Sequence, residues 1–345
     1  MIPYLFILFF VMVWVIFEKY SLNRRAFWIP TLCLSLFAGI RSYRVGTDTG
    51  AYVSNYTSNL NPSFFQFRDD VEKGYQLFDY LLLNITHNYF WLLFLTAFFI
   101  VFSYLRVIKK YSQDYVLSVI IFITFGTYTF MLNGLRQAIA MAIFLYAIPA
   151  LINKKLLQYV LICLFASLFH ISAFIMIPFY FLVNVNVKNI YKIITVLVVA
   201  FVGASPIIKY MAKDNTRYEG YTTNDDFSGL FTLGLYVVVA LFILVVNLKL
   251  KIKDELFNKL LTLYLLGVTL LIPVSLLGAG SSGPQRILNY FTWTLILIFP
   301  IIIDKFKGFS VKLFFIILCV IYYYLATSKF SNLNPYMINS NFEIF

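Results

Sequence analysis

The sequence predicts an all-α polytopic integral membrane protein with about twelve transmembrane helices, within a range of ten to thirteen. Composition is the first ground: 61% of the 345 residues are hydrophobic and 12% charged, at a mean hydropathy of +0.83. A soluble domain cannot hide that much apolar surface, whereas a lipid solvent removes the need to. The second ground is the recurrence of apolar runs able, or nearly able, to cross ~30 Å of hydrocarbon. The third is that lysine concentrates in every second connection between those runs. The 38 Phe and 26 Tyr residues suit the interfacial belts of such a protein.

The first run, 2–17, lacks a basic start and a small-x-small cleavage site, so it reads as a spanning helix and not as a cleaved signal. The others are 26–40, 88–107, 115–132, 135–152, 156–169, 171–187, 193–208, 230–248, 256–277, 287–303 and 309–326. Several are short, which predicts kinked or broken helices. Residues 75–86 are too few and too polar to span. Leu77, Tyr80 and Leu81 predict an amphipathic helix lying at the interface. Outer loops 41–74, 209–229 and 278–286 and an outer tail 327–345 complete a single polytopic domain, 1–345. Cys33, Cys163 and Cys319 lie far apart in apolar runs and give neither a disulfide framework nor a metal spacing.

Orientation follows from the basic residues. Connections holding 17 of the 27 (Lys19, Arg24, Arg25 and Lys109 among them) alternate with connections holding 10, which places the first set in the cytoplasm and both termini outside. The net charge of +12 is then mainly a topology signal, and no basic surface for nucleic acid is offered. The type of base is more telling. Fourteen of eighteen lysines fall inside, yet six of nine arginines fall outside: Arg41, Arg44, Arg68, Arg136, Arg217 and Arg286. Orientation asks for no arginine there, whereas a planar fork for phosphate or carboxylate oxygens does. Arg68 and Arg217 are read as ordinary partners of outer acids or lipid headgroups.

Outward-facing polar residues cluster in four places. Gly39-Ile40-Arg41-Ser42-Tyr43-Arg44-Val45-Gly46-Thr47-Asp48-Thr49-Gly50 packs two arginines and an aspartate against a membrane edge. Asn133-Gly134-Leu135-Arg136-Gln137-Ala138 opens a helix, where backbone N–H groups favour an anion. Phe169-His170-Ile171-Ser172 breaks an apolar stretch, and His170 is either an interhelical hydrogen-bonding group or a functional one. His87, beside Tyr89, Phe90 and Trp91, is read as structural. A Gly/Ser-rich loop from Gly278 ends in Arg286. The sequence has no P-loop, dinucleotide fingerprint, zinc-ligand spacing, nucleophile elbow or evident internal repeat.

The order of these motifs resembles the EpsG-like branch of the Wzy-type O-antigen polymerases. The residues that carry the resemblance are Gly39-Ile40-Arg41, Val45-Gly46-Thr47-Asp48-Thr49 with Tyr52, and Glu72-Lys73-Gly74-Tyr75. They continue through Asn133 to Ala140, Phe169-His170-Ile171-Ser172-Ala173, Arg286 with Tyr290-Phe291, and Asn334-Pro335-Tyr336. The resemblance implies a GT-C-like membrane glycosyltransferase with an outward-facing catalytic cavity, multi-pass in the bacterial inner membrane. Its donor and acceptor would be undecaprenyl-diphosphate-linked glycan. Membrane lipid and a chain-length regulator protein are further implied partners, and cofactors and metals are not implied. The related lipopolysaccharide ligases set arginines on the diphosphate and a histidine or acid near the acceptor.

In that chemistry the leaving diphosphate needs neutralisation and the acceptor hydroxyl needs a base. Arg136 and Arg286, helped by Arg41 or Arg44, are the expected diphosphate ligands. His170 is the first choice of base and Asp48 the second, although pairing with a nearby arginine would make Asp48 a poor base. Gln137, Tyr52 and Tyr290 are expected to position substrate. A lipid-linked oligosaccharide flippase or other transporter and a membrane O-acyltransferase are the competing classes.

Overall fold

A computed structural model describes residues 1–59, 62–213, 228–276, 283–306 and 308–339. Regular structure among them is helical, and the one extended pairing is an isolated antiparallel bridge between Arg41 and Ile338. Among the described residues six helices are long and apolar enough to cross a membrane: Ile2–Ser21, Tyr89–Tyr111, Leu135–Ile152, Gly229–Leu250, Glu255–Leu276 and Phe309–Lys329. A seventh is added if Pro284–Thr292 and Leu295–Asp304, bent by 41°, form one span. The chain is therefore a polytopic helical membrane protein. The remaining expected crossings correspond to shorter apolar helices such as Trp28–Gly39 and Tyr115–Thr124. A helix of 12 residues reaches only about 18 Å at the usual rise, so length and apolarity establish six or seven crossings of the twelve expected.

Two compact units divide the chain, one of Met1–Ile177 with Phe299–Phe345 and one of Pro178–Ile298. The first contains α1 (Ile2–Ser21), α2 (Trp28–Gly39), α3 (Thr49–Ser58), α4 (Lys73–Leu83) and α5 (Tyr89–Tyr111). It continues with α6 (Tyr115–Thr124), α7 (Thr127–Met131), α8 (Leu135–Phe144), α9 (Ile148–Ile152) and α10 (Leu156–Ser167), and ends with the helix Phe309–Lys329. A 3-10 turn, Leu145–Ala147, joins α8 to α9 within one span. The helices show apolar side chains on both faces, as lipid allows: α1 buries Tyr4, Leu8, Val11 and Val15 while exposing Phe6, Phe9, Val13 and Phe17. Local signals set the starts. Asn88 Oδ1 accepts from Phe90 N at 2.9 Å, and Asp114 Oδ1 accepts from Leu117 N at 3.2 Å.

Hydrogen bonds define two ends of this unit. At one end, Arg25 donates to the carbonyls of Lys109 and, at 3.2 Å, Ser112, Arg24 pairs with Glu18 at 2.7 Å, and Lys312 pairs with Asp114. At the other end, the Met1 amino group donates to Asn334 Oδ1 at 2.8 Å and Tyr4 OH to Leu333 O at 2.7 Å. Ser42 N donates to Met337 O at 2.8 Å there, and Asn339 N to Ile40 O at 2.9 Å. Lysines accumulate at the first end; Arg41, Arg44, Arg136 and His170 belong to the second.

The interfacial helix expected near 75–86 is α4, displaced toward the N-terminus. It begins after Glu72, whose backbone is extended, and stops where Ile85 N and Thr86 N turn back onto Leu82 O at 2.9 Å each. Leu77, Leu81 and Ile85 form its exposed apolar stripe, while Tyr75, Gln76, Asp79, Leu82 and Leu83 are buried.

In the second unit, Asn189–Lys213 and Ser228–Leu250 each pack on Glu255–Leu276. Tyr264 OH donates to Tyr236 O at 2.7 Å, and Thr262 Oγ1 donates to Asn189 Oδ1 at 3.2 Å. Most of the loop expected at 209–229, with Arg217, lies outside the described residues, as do 278–282 of the 278–286 loop and 340–345 of the tail.

Candidate functional site

The stretch after α2 clasps the turn before α8. Thr47 N donates to Asn133 Oδ1 at 2.7 Å, Thr47 Oγ1 to the same oxygen at 3.1 Å, and Thr49 Oγ1 to Leu132 O at 2.9 Å. Gly46 makes this approach possible. Its φ is +101°, and a Cβ there would stand 2.6 Å from both Leu132 O and Thr49 Oγ1. The clasp holds the Asn133-Gly134 turn from which α8, and so Arg136, projects.

Arg41 lies inside this clasp. It is 2% exposed; one Nη donates to Ala38 O and the other to Leu132 O at 3.3 Å. Tyr4, Tyr128 and Tyr336 surround it, and Tyr336 OH caps Phe37 O at 2.5 Å. A guanidinium spent on backbone carbonyls ties the end of α2 to the end of α7 and shows no face to a bulky ligand. Arg44 is exposed, its Nε bonded to Tyr43 OH at 3.2 Å. Asp48 stands at the N-cap of α3, half-buried, with its backbone carbonyl taking the helix's first bonds. Arg68 pairs with its neighbour Asp70 through two hydrogen bonds of 2.9 and 2.5 Å, which hold that carboxyl below the usual carboxylate range. Its paired reading therefore agrees with the geometry.

Arg136 is the centre of the cluster. Its Nη1 donates to Glu72 Oε2 at 2.5 Å, and both side chains are mostly buried, at 21% and 15% exposure. The other Glu72 oxygen accepts from Ile171 N at 3.1 Å. One carboxylate thus joins the start of α4, the start of α8 and the turn that carries His170. Main-chain bonds reinforce the junction: Gly74 N and Tyr75 N both donate to Leu168 O, at 2.9 and 3.3 Å. Backbone meets backbone so closely that a Cβ on Gly74 would stand 2.7 Å from that same oxygen. The Tyr75 ring lies 5.9 Å from the Arg136 guanidinium, the Tyr52 hydroxyl sits beside it, and the Tyr52 and Tyr75 rings meet edge-on at 6.1 Å. Gln137 follows directly and is 4% exposed.

His170 is half-buried. Its Nδ1 accepts from Ser172 N at 3.3 Å and shares a 2.6 Å hydrogen bond with Ser172 Oγ. An Nδ1 that accepts from the Ser172 amide leaves the proton of a neutral ring on Nε2. Below this layer Asp79 faces inward, one helical turn from Tyr75. It is 9% exposed, and burial pushes its carboxyl up to about 7, against the pull of the Tyr75 hydroxyl and Arg136 toward the charged form. The Tyr75 hydroxyl stands next to the Asp79 carboxyl, and among the described residues no other hydrogen-bond partner reaches it or Asp79 Oδ1.

Arg136, Tyr52, Gln137 and His170 are thus brought to one place, with Asp48 and Arg44 on the adjoining clasp. Arg286 and Tyr290 belong to the other compact unit: Arg286 sits on the 3-10 turn Pro284–Leu288, and the Tyr290 ring is fully buried. Glu72, Tyr75 and Asp79 were not singled out as site residues from the sequence. Glu72 and Tyr75 stood within a resemblance motif, and Tyr75, Gln76 and Asp79 share a helix face opposite Leu77 and Leu81, which was the available signal. Among the described residues no group of three or more His, Cys, Asp or Glu side chains is placed to hold a metal.

Fold and site together define a multi-pass helical membrane protein with a guanidinium–carboxylate–tyrosine cluster gathered from three separate segments. A family model described as the EpsG family matches residues 24–342, nearly the whole chain, and the chain belongs to that family. It is accordingly a polysaccharide polymerase-type membrane protein. No curated protein and no solved structure matches it.

Proposed function

We propose that this protein is a glycosyltransferase that polymerises undecaprenyl-diphosphate-linked oligosaccharide repeats into O-antigen, capsule or exopolysaccharide on the non-cytoplasmic face of the bacterial inner membrane. The observation that carries the reading is the largely desolvated Arg136 guanidinium, fixed by Glu72 beside the His170 turn. Glu72 takes one of its five N–H donors through Nη1 and the Tyr52 hydroxyl engages another, which leaves further N–H groups for phosphate oxygens. As the anomeric carbon–oxygen bond breaks, negative charge grows on the diphosphate, and a fixed cation in a dry site stabilises it without reorganising. Arginines take the part that a metal ion plays in other transferases. Arg44 is an exposed second cation on the clasp and the inward-turned Arg41 is left to hold the scaffold, while Arg286, on the second compact unit, is a further diphosphate ligand on sequence grounds alone. His170, on the turn tied to Glu72, stands beside the substrate as a catalytic residue. Gln137 and Tyr52 line or support the sugar site, Tyr290 is a substrate-positioning residue on sequence grounds alone, and Asp48 stays on the clasp as an alternative base.

A flippase would carry its polar groups along a path through the bilayer midplane, whereas here they gather at helix ends. A membrane O-acyltransferase has no use for several outward arginines. Deleting the gene separates the three classes: a polymerase mutant is expected to show single repeat units on its surface lipid. Absence of any repeat would indicate a flippase, and full-length chains lacking a substituent would indicate an acyltransferase.

A further inference from the structure

Asp79 is buried, and among the described residues its Oδ1 and the Tyr75 hydroxyl beside it have no hydrogen-bond partner but each other. Burying an acid and a phenol that have only each other costs free energy and calls for a purpose. The groups that face Asp79 are Tyr75 on its own helix, Arg136 from α8 and Tyr56 from α3, whose hydroxyl is committed to Thr86 O at 2.5 Å. Among the described residues no cation pairs with Asp79 directly, unlike Glu72, which is bound to Arg136. The His170 Nδ1 lone pair is likewise committed, to Ser172.

We propose that Asp79 receives the proton of the transfer reaction, with the Tyr75 hydroxyl as its carrier. This rests on the polymerase reading. As the acceptor sugar's hydroxyl oxygen bonds to the anomeric carbon, the bond from that carbon to the diphosphate breaks and the diphosphate leaves with the electron pair. The acceptor's proton moves to the Tyr75 oxygen as the Tyr75 proton moves to Asp79 Oδ1. Tyr75, its ring against Arg136, reaches from the phosphate-binding guanidinium to the buried acid. A carboxyl held near neutrality is suited to take a proton and release it between turnovers.

The test uses purified full-length protein, a synthetic lipid-linked repeat unit and initial rates of chain extension across pH. In the wild type the rate is expected to fall as pH drops below about 7, where Asp79 is already protonated. Asp79→Asn is expected to lower the rate by about 10²–10⁴-fold and to abolish that acid limb, while the repeat unit still binds. Asp79→Glu should restore part of both. Tyr75→Phe, which keeps the ring, should slow extension at least about 10-fold with binding intact. Wild-type rates and an unchanged pH profile in Asp79→Asn or in Tyr75→Phe would overturn the proposal while leaving the polymerase reading in place. A folded wild type that extends nothing at any pH would overturn both.

Discussion

Arg136→Lys is expected to reduce polymer formation by about 10²-fold or more, the scale of losing an oriented donor to developing charge. The substitution keeps the charge and removes the fork. Lysine can satisfy Glu72 or reach a phosphate, but its single ammonium cannot hold Glu72 Oε2 in the present geometry and offer a second planar edge to the diphosphate. Glu72 would still bond Ile171 N, so the His170 turn stays in place and the defect falls on chemistry more than on folding. Arg136→Ala goes further, leaving a mostly buried carboxylate uncompensated at a cost on the order of 3 kcal/mol. Glu72→Gln in that background should recover stability without activity. Measured chain-length distributions together with thermal unfolding of the detergent-solubilised variants separate the two effects; full activity in Arg136→Lys would remove the diphosphate role.

Gly46→Ala is expected to damage the protein by another route. The backbone there sits at φ +101°, where an L side chain is strained, and the new methyl group would overlap Leu132 O. That oxygen also accepts from Thr49 Oγ1 and Arg41 Nη2, so displacing it loosens both ties, from α3 and from the residue after α2, to the end of α7. A loss of about 3 kcal/mol or more follows from strain and overpacking together. The readout is a lower unfolding temperature and faster proteolysis of the loop after α2, with activity lost in proportion to folded protein. Unchanged stability would mean that the clasp does not hold the Asn133 turn.

Much of this was legible in the chain. The composition could only suit a lipid solvent, and the excess of arginine where positive charge is disfavoured pointed at Arg136. The local pair Arg68–Asp70 is two residues apart and readable from spacing alone. Long-range closure was not readable. Glu72 meets a guanidinium 64 residues away and a backbone amide 99 residues away, and no periodicity encodes such meetings. For Arg41, sequence cannot tell a fork aimed at ligand from one aimed at carbonyls; the cage of Tyr4, Tyr128 and Tyr336 assembles from three distant segments. Asp79 escaped notice because an acid in an amphipathic helix normally faces water, and its burial depends on α3 and α8 covering that face. Crossing number suffers similarly, since α6 is only 10 residues long and breaks before α7.

The central claim is that the Arg136 cluster joins one lipid-linked repeat to another. Its most direct measurement is extension of a defined undecaprenyl-diphosphate-linked repeat unit by the purified protein in liposomes, with products resolved by length. The account predicts a ladder of lipid-linked chains of two, three and more repeats from the wild type and only the starting unit from Arg136→Ala. A folded wild-type protein that leaves the unit unextended, or an Arg136→Ala variant that builds the same ladder, would contradict it.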